Sequence, residues 1–188
     1  MEDPFLSKFI GILEHVLREN GYYLMLRTVE TAEQLQAFLH TWDIDGLFLA
    51  GIFKDEFFDE ISTLKIPIVL VDSYVHHKGI CNVGLDDFGG SNSSTKYLIQ
   101  NGHKKIAFAS LHIKDGGVLM ERFLGYKAAL TEAGIPFDES LVFECGMDLK
   151  GTRAIAKTLA SHPEITGVVT TADTLAGSII ANLHKLKI

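Results

Sequence analysis

Residues 88–134 read FGGSNSSTKYLIQNGHKKIAFASLHIKDGGVLMERFLGYKAALTEAG, and this stretch decides the fold. The pattern predicts, in order, a helix near 88–101, an apolar strand at 105–110 and a second helix near 119–133. A glycine ends each helix, at Asn101-Gly102 and Ala133-Gly134. A short apolar strand between two helices is typical of a parallel sheet, because parallel neighbours need a long crossover connection.

The same alternation continues on both sides of this stretch. Further strands are predicted at 22–27, 46–50, 66–71, 80–85, 141–144 and 167–171. Further helices are predicted from Asp3-Pro4 to Asn20-Gly21, from Thr31 to Trp42, and at 54–64, 150–161 and 173–186. The alternation is interrupted once, at 72–88, where two strand-like segments have no helix between them. We therefore predict two α/β lobes, 1–86 and 87–188. The chain begins and ends with a helix, so we expect a fragment that lacks its first strand and its C-terminal part.

Composition excludes several classes of function. The chain has 188 residues, 47% hydrophobic and 22% charged, as in ordinary soluble domains. Its net charge of −7 opposes binding to phosphate backbones, so this piece by itself should not bind nucleic acid. No apolar run approaches the ~20 residues that span a bilayer, and no signal peptide is visible. Cys81 and Cys145 are interpreted as two unpaired thiols of a cytoplasmic protein.

Motifs for catalysis are missing. The sequence contains no Gly-x-Ser-x-Gly elbow, no Walker loop, and no Gly-x-Gly-x-x-Gly at a strand-to-helix turn. His76-His77 is interpreted as a solvated pair, and His103 as part of a helix end. Helix capping accounts for Asp86-Asp87. We therefore predict no enzyme, no cofactor and no metal; Ser110 with His112 is the single nucleophile–base candidate left for the enzyme alternative.

Polar residues follow several of the predicted strands, where open parallel sheets bind ligands. Asp72 and Asp173 follow two strands, and Arg122 lies early in the helix after a third. Carboxylates and a guanidinium suit a hydroxyl-rich ligand, and an aromatic ring such as Phe5 can cover a sugar face. Each residue has a plainer alternative. The aspartates can cap turns or helices, Phe5 can belong to the core, and Arg122 can pair with Glu121 or Glu132.

Seven short motifs occur in one order along the chain. They are Asp3-Pro4-Phe5-Leu6 with Asn20-Gly21-Tyr22, Asp45-Gly46-Leu47, Ile66–Asp72, Asp86–Gly90, Tyr97–Ala107, Arg122–Pro136, and Ile165–Val168 with Asp173-x-x-Ala176. This order resembles the effector-binding core of LacI/GalR transcription repressors, over nearly the whole chain. The resemblance implies an α/β, periplasmic-binding-protein-like fold (type I) of two Rossmann-like lobes with parallel sheets, incomplete here.

The same resemblance implies a function and a site. It implies a cytoplasmic homodimer that binds a small effector, commonly a sugar or sugar phosphate and sometimes a purine, between its lobes. The homodimer would reach operator DNA only through a helix-turn-helix head that this chain lacks. By motif position, the ligand-binding residues are Asp3, Phe5, Asp72, Arg122 and Asp173. A periplasmic sugar receptor of an ABC importer remains the alternative.

Three positions depart from the family pattern. Leu6 replaces a second aromatic residue, and Ala172 replaces the usual asparagine before Asp173. Asp3 stands where the family has asparagine, which disfavours an anionic ligand nearby.

Overall fold

The computed structural model describes residues 4–51, 61, 64–73, 80–113, 117–146 and 149–188. The helices are α1 (Pro4–Glu19), α2 (Ala32–Thr41), α3 (Asp87–Gln100), α4 (Gly117–Glu132), α5 (Leu149–Ser161) and α6 (Asp173–Lys185). The strands are β1 (Leu47–Ala50), β2 (Ile68–Val71), β3 (Cys81–Val83), β4 (Ile106–Leu111), β5 (Val142–Cys145) and β6 (Gly167–Thr170). The predicted alternation of strand and helix is therefore confirmed for most of the chain.

Local sequence signals account for the ends of the first two helices. Gly21 has φ 81° just after α1, and the N–H of Tyr22 donates to the Leu17 carbonyl at 2.9 Å. The Thr31 hydroxyl accepts from the Gln34 N–H, which is the predicted cap of α2. Two of the capping signals in the sequence are thus confirmed.

The strand predicted at 22–27 is wrong. No described residue from Tyr22 to Leu26 belongs to a strand, and Tyr23 is 97% exposed. An apolar run becomes a strand only when another segment pairs with its backbone, and no described segment forms a ladder with 22–27. The helix predicted at 54–64 lies mostly outside the described residues; Ile61 is described as helical and fully buried.

Two three-stranded sheets form, and both are parallel. Their strand orders are β1-β2-β3 and β5-β4-β6. In the first sheet Leu49 lies beside Leu70, and in the second Ser110 lies beside Glu144. All described strands of one sheet therefore end at the same edge.

The second sheet has a core on each of its faces, because side chains of a strand alternate between faces. One cluster consists of Ile106, Phe108, Tyr126, Leu130 and Val169, with Leu98 and Ile99 of α3 packed against it. The other consists of Ala109, Cys145, Ile155, Leu175 and Ile179. Helices α3 and α4 thus cover one face, and α5 and α6 cover the other.

Contacts between residues group the chain into two compact units. One contains Met1–Asp43 with Glu56–Leu64, and the other contains Ile44–Asp55 with Lys65–Ile188. The second unit holds both sheets, so this grouping separates the chain differently from the predicted boundary between residues 86 and 87. The division into lobes 1–86 and 87–188 stays a prediction. Among the described helices, none has the length and apolar character to cross a membrane.

Candidate functional site

The carboxyl edge of the second sheet places Arg122 between three elements. Arg122 lies in the second turn of α4, and its Nε donates to Oδ1 of Asp87, the first residue of α3, at 2.6 Å. Its Nη1 donates to the carbonyl oxygen of Thr171, just after β6. These contacts hold the guanidinium at the edge of the sheet. Its side chain is 28% exposed, so it is not directed into bulk water.

Asp87 is the partner that sequence reasoning missed. Its side chain is 2% exposed, and a carboxylate so far from water needs a compensating charge. Of the adjacent aspartates, Asp86 is the helix cap: its Oδ1 accepts from the Gly89 N–H at 2.8 Å. One carboxylate suffices to cap the helix. The presence of a second aspartate directly after it was therefore the sequence signal that Asp87 has another role. The plainer alternative for Arg122, a pairing with Glu121 or Glu132, is not what the structure shows, because Arg122 pairs with Asp87.

Asp72 lies at the corresponding edge of the first sheet. Its φ is 51°, in the left-handed region that few residues other than glycine, asparagine and aspartate adopt. Its N–H donates to the Val83 carbonyl at 3.0 Å, and a Cβ at Gly84 would lie 3.7 Å from its Oδ1. Gly84 and Asp87 are three residues apart, at most about 10 Å of extended chain. The backbone after β3 therefore connects Asp72 to the Asp87–Arg122 pair over a short distance.

Two buried hydroxyls lie at the same edge of the second sheet. Ser110 is fully buried near the end of β4, and Thr171 is 3% exposed just after β6. The Thr171 N–H donates to the Ala109 carbonyl at 3.1 Å, which brings these strand ends together. Neither hydroxyl oxygen hydrogen-bonds to a described group. Buried polar groups normally have partners, so this edge has unused hydrogen-bonding capacity.

The remaining predicted site residues have different outcomes. Asp173 is exposed in the first turn of α6, after Ala172, which makes no side-chain cap. Asp173 is not among the partners of Arg122, and the role of Asp173 in binding stays a prediction. Asp3 lies outside the described residues, and so does the side chain of Phe5, whose backbone belongs to α1.

The geometry disfavours a nucleophile–base pair of Ser110 and His112. The Ser110 hydroxyl makes no hydrogen bond to a described group, and Nδ1 of His112 lies 3.5 Å from Oε2 of Glu144. The same Glu144 oxygen accepts from the Ile113 N–H at 3.2 Å. A serine that does not contact the histidine is not activated by it. Within the described ranges, no three His, Cys, Asp or Glu side chains are grouped as metal ligands.

His103 and the cysteines agree with their plain interpretations. The N–H of His103 donates to the Leu98 carbonyl at the end of α3, and its ring contacts the Thr166 hydroxyl at 3.0 Å. Cys81 is exposed and Cys145 is buried, and no disulfide joins them.

Comparison with known proteins identifies a family. A family model described as periplasmic binding proteins and sugar binding domain of LacI family matches residues 1–186. The transcriptional regulator RegA of Clostridium saccharobutylicum is 31% identical over 143 residues, which are 75% of this chain and 43% of RegA. The chain spans about half the length of the curated relatives it matches.

Solved structures give the same result. The structure of the transcription regulator CcpA of Lactococcus lactis has a TM-score of 0.84 and 26% identity, covering 99% of this chain and 70% of CcpA. The complex of the transcriptional regulator CelR with cellobiose has a TM-score of 0.84 and 25% identity, covering 98% of this chain and 58% of CelR. The predicted fold, periplasmic-binding-protein-like with parallel sheets, is confirmed.

Proposed function

Because the chain belongs to the family of periplasmic binding proteins and LacI-type sugar-binding domains, we propose that it is the effector-sensing core of a LacI-type transcriptional regulator. It binds a small sugar-like molecule at the carboxyl ends of its parallel strands and performs no bond chemistry. The relatives named above are transcriptional regulators, which favours this function over a solute receptor of an importer. One of them is a complex with cellobiose, a neutral sugar.

One observation supports the proposal most directly, and it is the way Arg122 is held. Asp87 and the Thr171 carbonyl use Nε and Nη1 of its guanidinium, while Nη2 has no hydrogen-bond partner among the described residues. An arginine whose Nε and Nη1 are held by the protein, while the N–H groups of Nη2 have no partner, is preorganised to donate to the hydroxyls of a ligand. The unpartnered hydroxyls of Ser110 and Thr171 add polar groups at the same edge.

The regulatory part of the proposal follows from linkage. We propose two conformations of the regulator. The effector changes the affinity for operator DNA only if these conformations differ both in their affinity for the effector and in their affinity for DNA. DNA is bound by a separate helix-turn-helix head, since the acidic chain described here opposes DNA binding. Helix α1 supplies part of a homodimer face, because Ile12 and Val16 are 56% and 48% exposed. Such a regulator acts in the cytoplasm.

Calorimetric titration of the 188-residue chain tests the proposal. The panel contains ribose, glucose, cellobiose, adenine and guanine. We expect at least one sugar to bind, and Arg122→Ala to weaken that binding by about 10- to 100-fold, as the loss of a charged hydrogen-bond donor does. Arg153→Ala removes the same charge from an exposed position of α5 and should leave binding unchanged.

Arg122→Lys checks that the effect is not a loss of folding. It keeps a positive charge near Asp87. An ammonium, however, lacks the planar guanidinium that can bond to Asp87 and the Thr171 carbonyl and still donate to a ligand. We expect it to fold and to bind weakly. If no member of the panel binds, or if both Arg122 variants bind as tightly as the parent chain, the proposed function is wrong.

A further inference from the structure

We propose that Asp87 determines the class of ligand: by neutralising Arg122, it makes the site select uncharged polyhydroxy molecules and reject sugar phosphates and other anions. The inference rests on the proposed function, because it concerns the same site. It goes further by assigning ligand specificity to Asp87, which the proposed function uses only to hold Arg122 in place.

The first argument is the burial of the pair. Asp87 Oδ1 and Arg122 Nε are 2.6 Å apart, and the Asp87 side chain is 2% exposed. Water and salt screen such a pair far less than they screen a surface pair, so the carboxylate cancels the guanidinium charge at short range. A ligand that contacts Nη2 of Arg122 therefore meets directed N–H donors, but the net positive charge of the Asp87–Arg122 pair is small.

The second argument is the geometry of the remaining donors. A guanidinium grips phosphate or carboxylate through two parallel N–H groups of one edge. Asp87 occupies Nε, which removes the edge formed by Nε and Nη2, and the Thr171 carbonyl uses Nη1. One of the two edges that can bind an anion in bidentate fashion is thus taken, while Nη1 keeps one N–H and Nη2 keeps two for a ligand.

The third argument is the charge of the surrounding edge. Helix N-termini normally attract anions. Four described helices, α3 to α6, begin at this edge, and two of them, α3 and α6, already have carboxylates there. Asp86 caps α3 through the Gly89 N–H, and Asp173 lies in the first turn of α6. Glu144 adds a third carboxylate near the end of β5, paired at 3.5 Å with His112. In the described part of this edge, a phosphate would thus find more negative groups than positive ones.

Paired titrations of the 188-residue chain test the inference. The probes are glucose against glucose 6-phosphate, ribose against ribose 5-phosphate, and inorganic phosphate alone. We expect the neutral sugar that binds to bind at least about tenfold tighter than its phosphate ester, since unfavourable charge juxtaposition opposes the ester. Inorganic phosphate should not compete with the sugar.

Asp87→Asn should shift the ratio of the two affinities at least about tenfold towards the phosphate ester, because it leaves Arg122 charged without its counter-ion. Asp86→Asn is the matched control. It makes the same charge change one residue earlier and keeps a good capping residue. It should shift the ratio much less, because Asp86 accepts from the Gly89 N–H and does not pair with Arg122. If Asp87→Asn does not fold, Asp87→Glu replaces it; this variant keeps the charge and should keep the preference for the neutral sugar.

The possible outcomes separate the two proposals. If the parent chain binds a phosphate ester as tightly as the neutral sugar, the inference is overturned while the proposed function stands. The same holds if Asp86→Asn shifts the ratio as much as Asp87→Asn, or if Asp87→Glu reverses the preference. If neither series binds, the proposed function itself fails, and the inference fails with it.

Discussion

Helix α1 and the helix pair α3–α4 show how differently two helical regions of the chain are packed. The apolar residues of α1 recur at helical spacing, yet Ile12 is 56% exposed. Helix α4 has little such pattern, yet Tyr126 and Leu130 are at most 2% exposed. Hydrophobic periodicity therefore does not predict how deeply a helix is buried.

The difference arises from close approach of the backbones of α3 and α4. A Cβ placed on Gly125 would lie 2.2 Å from the Phe88 carbonyl oxygen, so only glycine fits there. Asn92 Nδ2 donates to the Gly125 carbonyl at 3.3 Å, and Lys96 pairs with Glu132 at 2.6 Å. The hydrogen bond from Lys96 holds the pKa of the Glu132 carboxyl below its usual value. In α1, by contrast, a Cβ on Gly11 would meet nothing within 4 Å.

The largest expected effect concerns these two glycines. Gly125→Ala should lower the free energy of unfolding by about 3 kcal/mol or more, because its methyl group meets backbone that cannot move aside. Gly11→Ala should raise it by about 0.5–1 kcal/mol, through the better helix propensity of alanine. Urea unfolding followed by circular dichroism measures both. Equal effects of the two substitutions would mean that α3 and α4 are not packed so closely.

The second expected effect concerns the buried hydroxyl of Tyr126. It donates to the Ile106 carbonyl at 2.8 Å, and burial, together with the charge of Asp138, raises the pKa of Tyr126 to about 12. In the unfolded chain this pKa is about 10, so the unfolded state loses its proton first as the pH rises. Stability from Tyr126 is thus complete below about pH 10 and should fall by about 2–3 kcal/mol by pH 12.

Tyr126→Phe separates this effect from the other alkaline titrations. At pH 8 the variant should be about 1 kcal/mol less stable than the parent chain, because the Ile106 carbonyl loses its donor. When the free energy of unfolding is plotted against pH, the curves of the variant and of the parent chain should cross between pH 10 and 12. Tyr97→Phe is the control, since Tyr97 is 66% exposed on α3, and its profile should stay parallel to that of the parent. Parallel profiles for both variants would contradict the prediction.

The smallest expected effect is on α1. Ile12→Asn should change the free energy of unfolding of the dilute chain by no more than about 0.5 kcal/mol, since the side chain is already 56% exposed. If α1 contributes to a dimer face, the same substitution weakens self-association in sedimentation equilibrium. A loss of several kcal/mol in the dilute chain would show instead that Ile12 belongs to a core.

The sequence predicted the site only in part. Motif position led to the prediction that Arg122 binds ligand, which stays a prediction, and the ends of the strands predicted the edge at which the structure places it. The second of two consecutive aspartates was a signal for Asp87, but it did not point to Arg122, because the two residues are 35 positions apart and come together only when α3 packs on α4. The strand predicted at 22–27 failed for a related reason: its residues have strand character, but strand structure requires a pairing partner.

By itself, the sequence determined the elements of this protein and most of their ends. Apolar spacing and capping residues act over a few positions, so they specify the six described helices locally, as Thr31 and Gly21 show. They mark strands only as candidates, which also need a pairing partner. Only the tertiary structure decided which surfaces became buried and which charges met. Those outcomes depend on backbone approach, as at Gly125, and on the loss of water around Asp87, and neither is a property of a short stretch of chain.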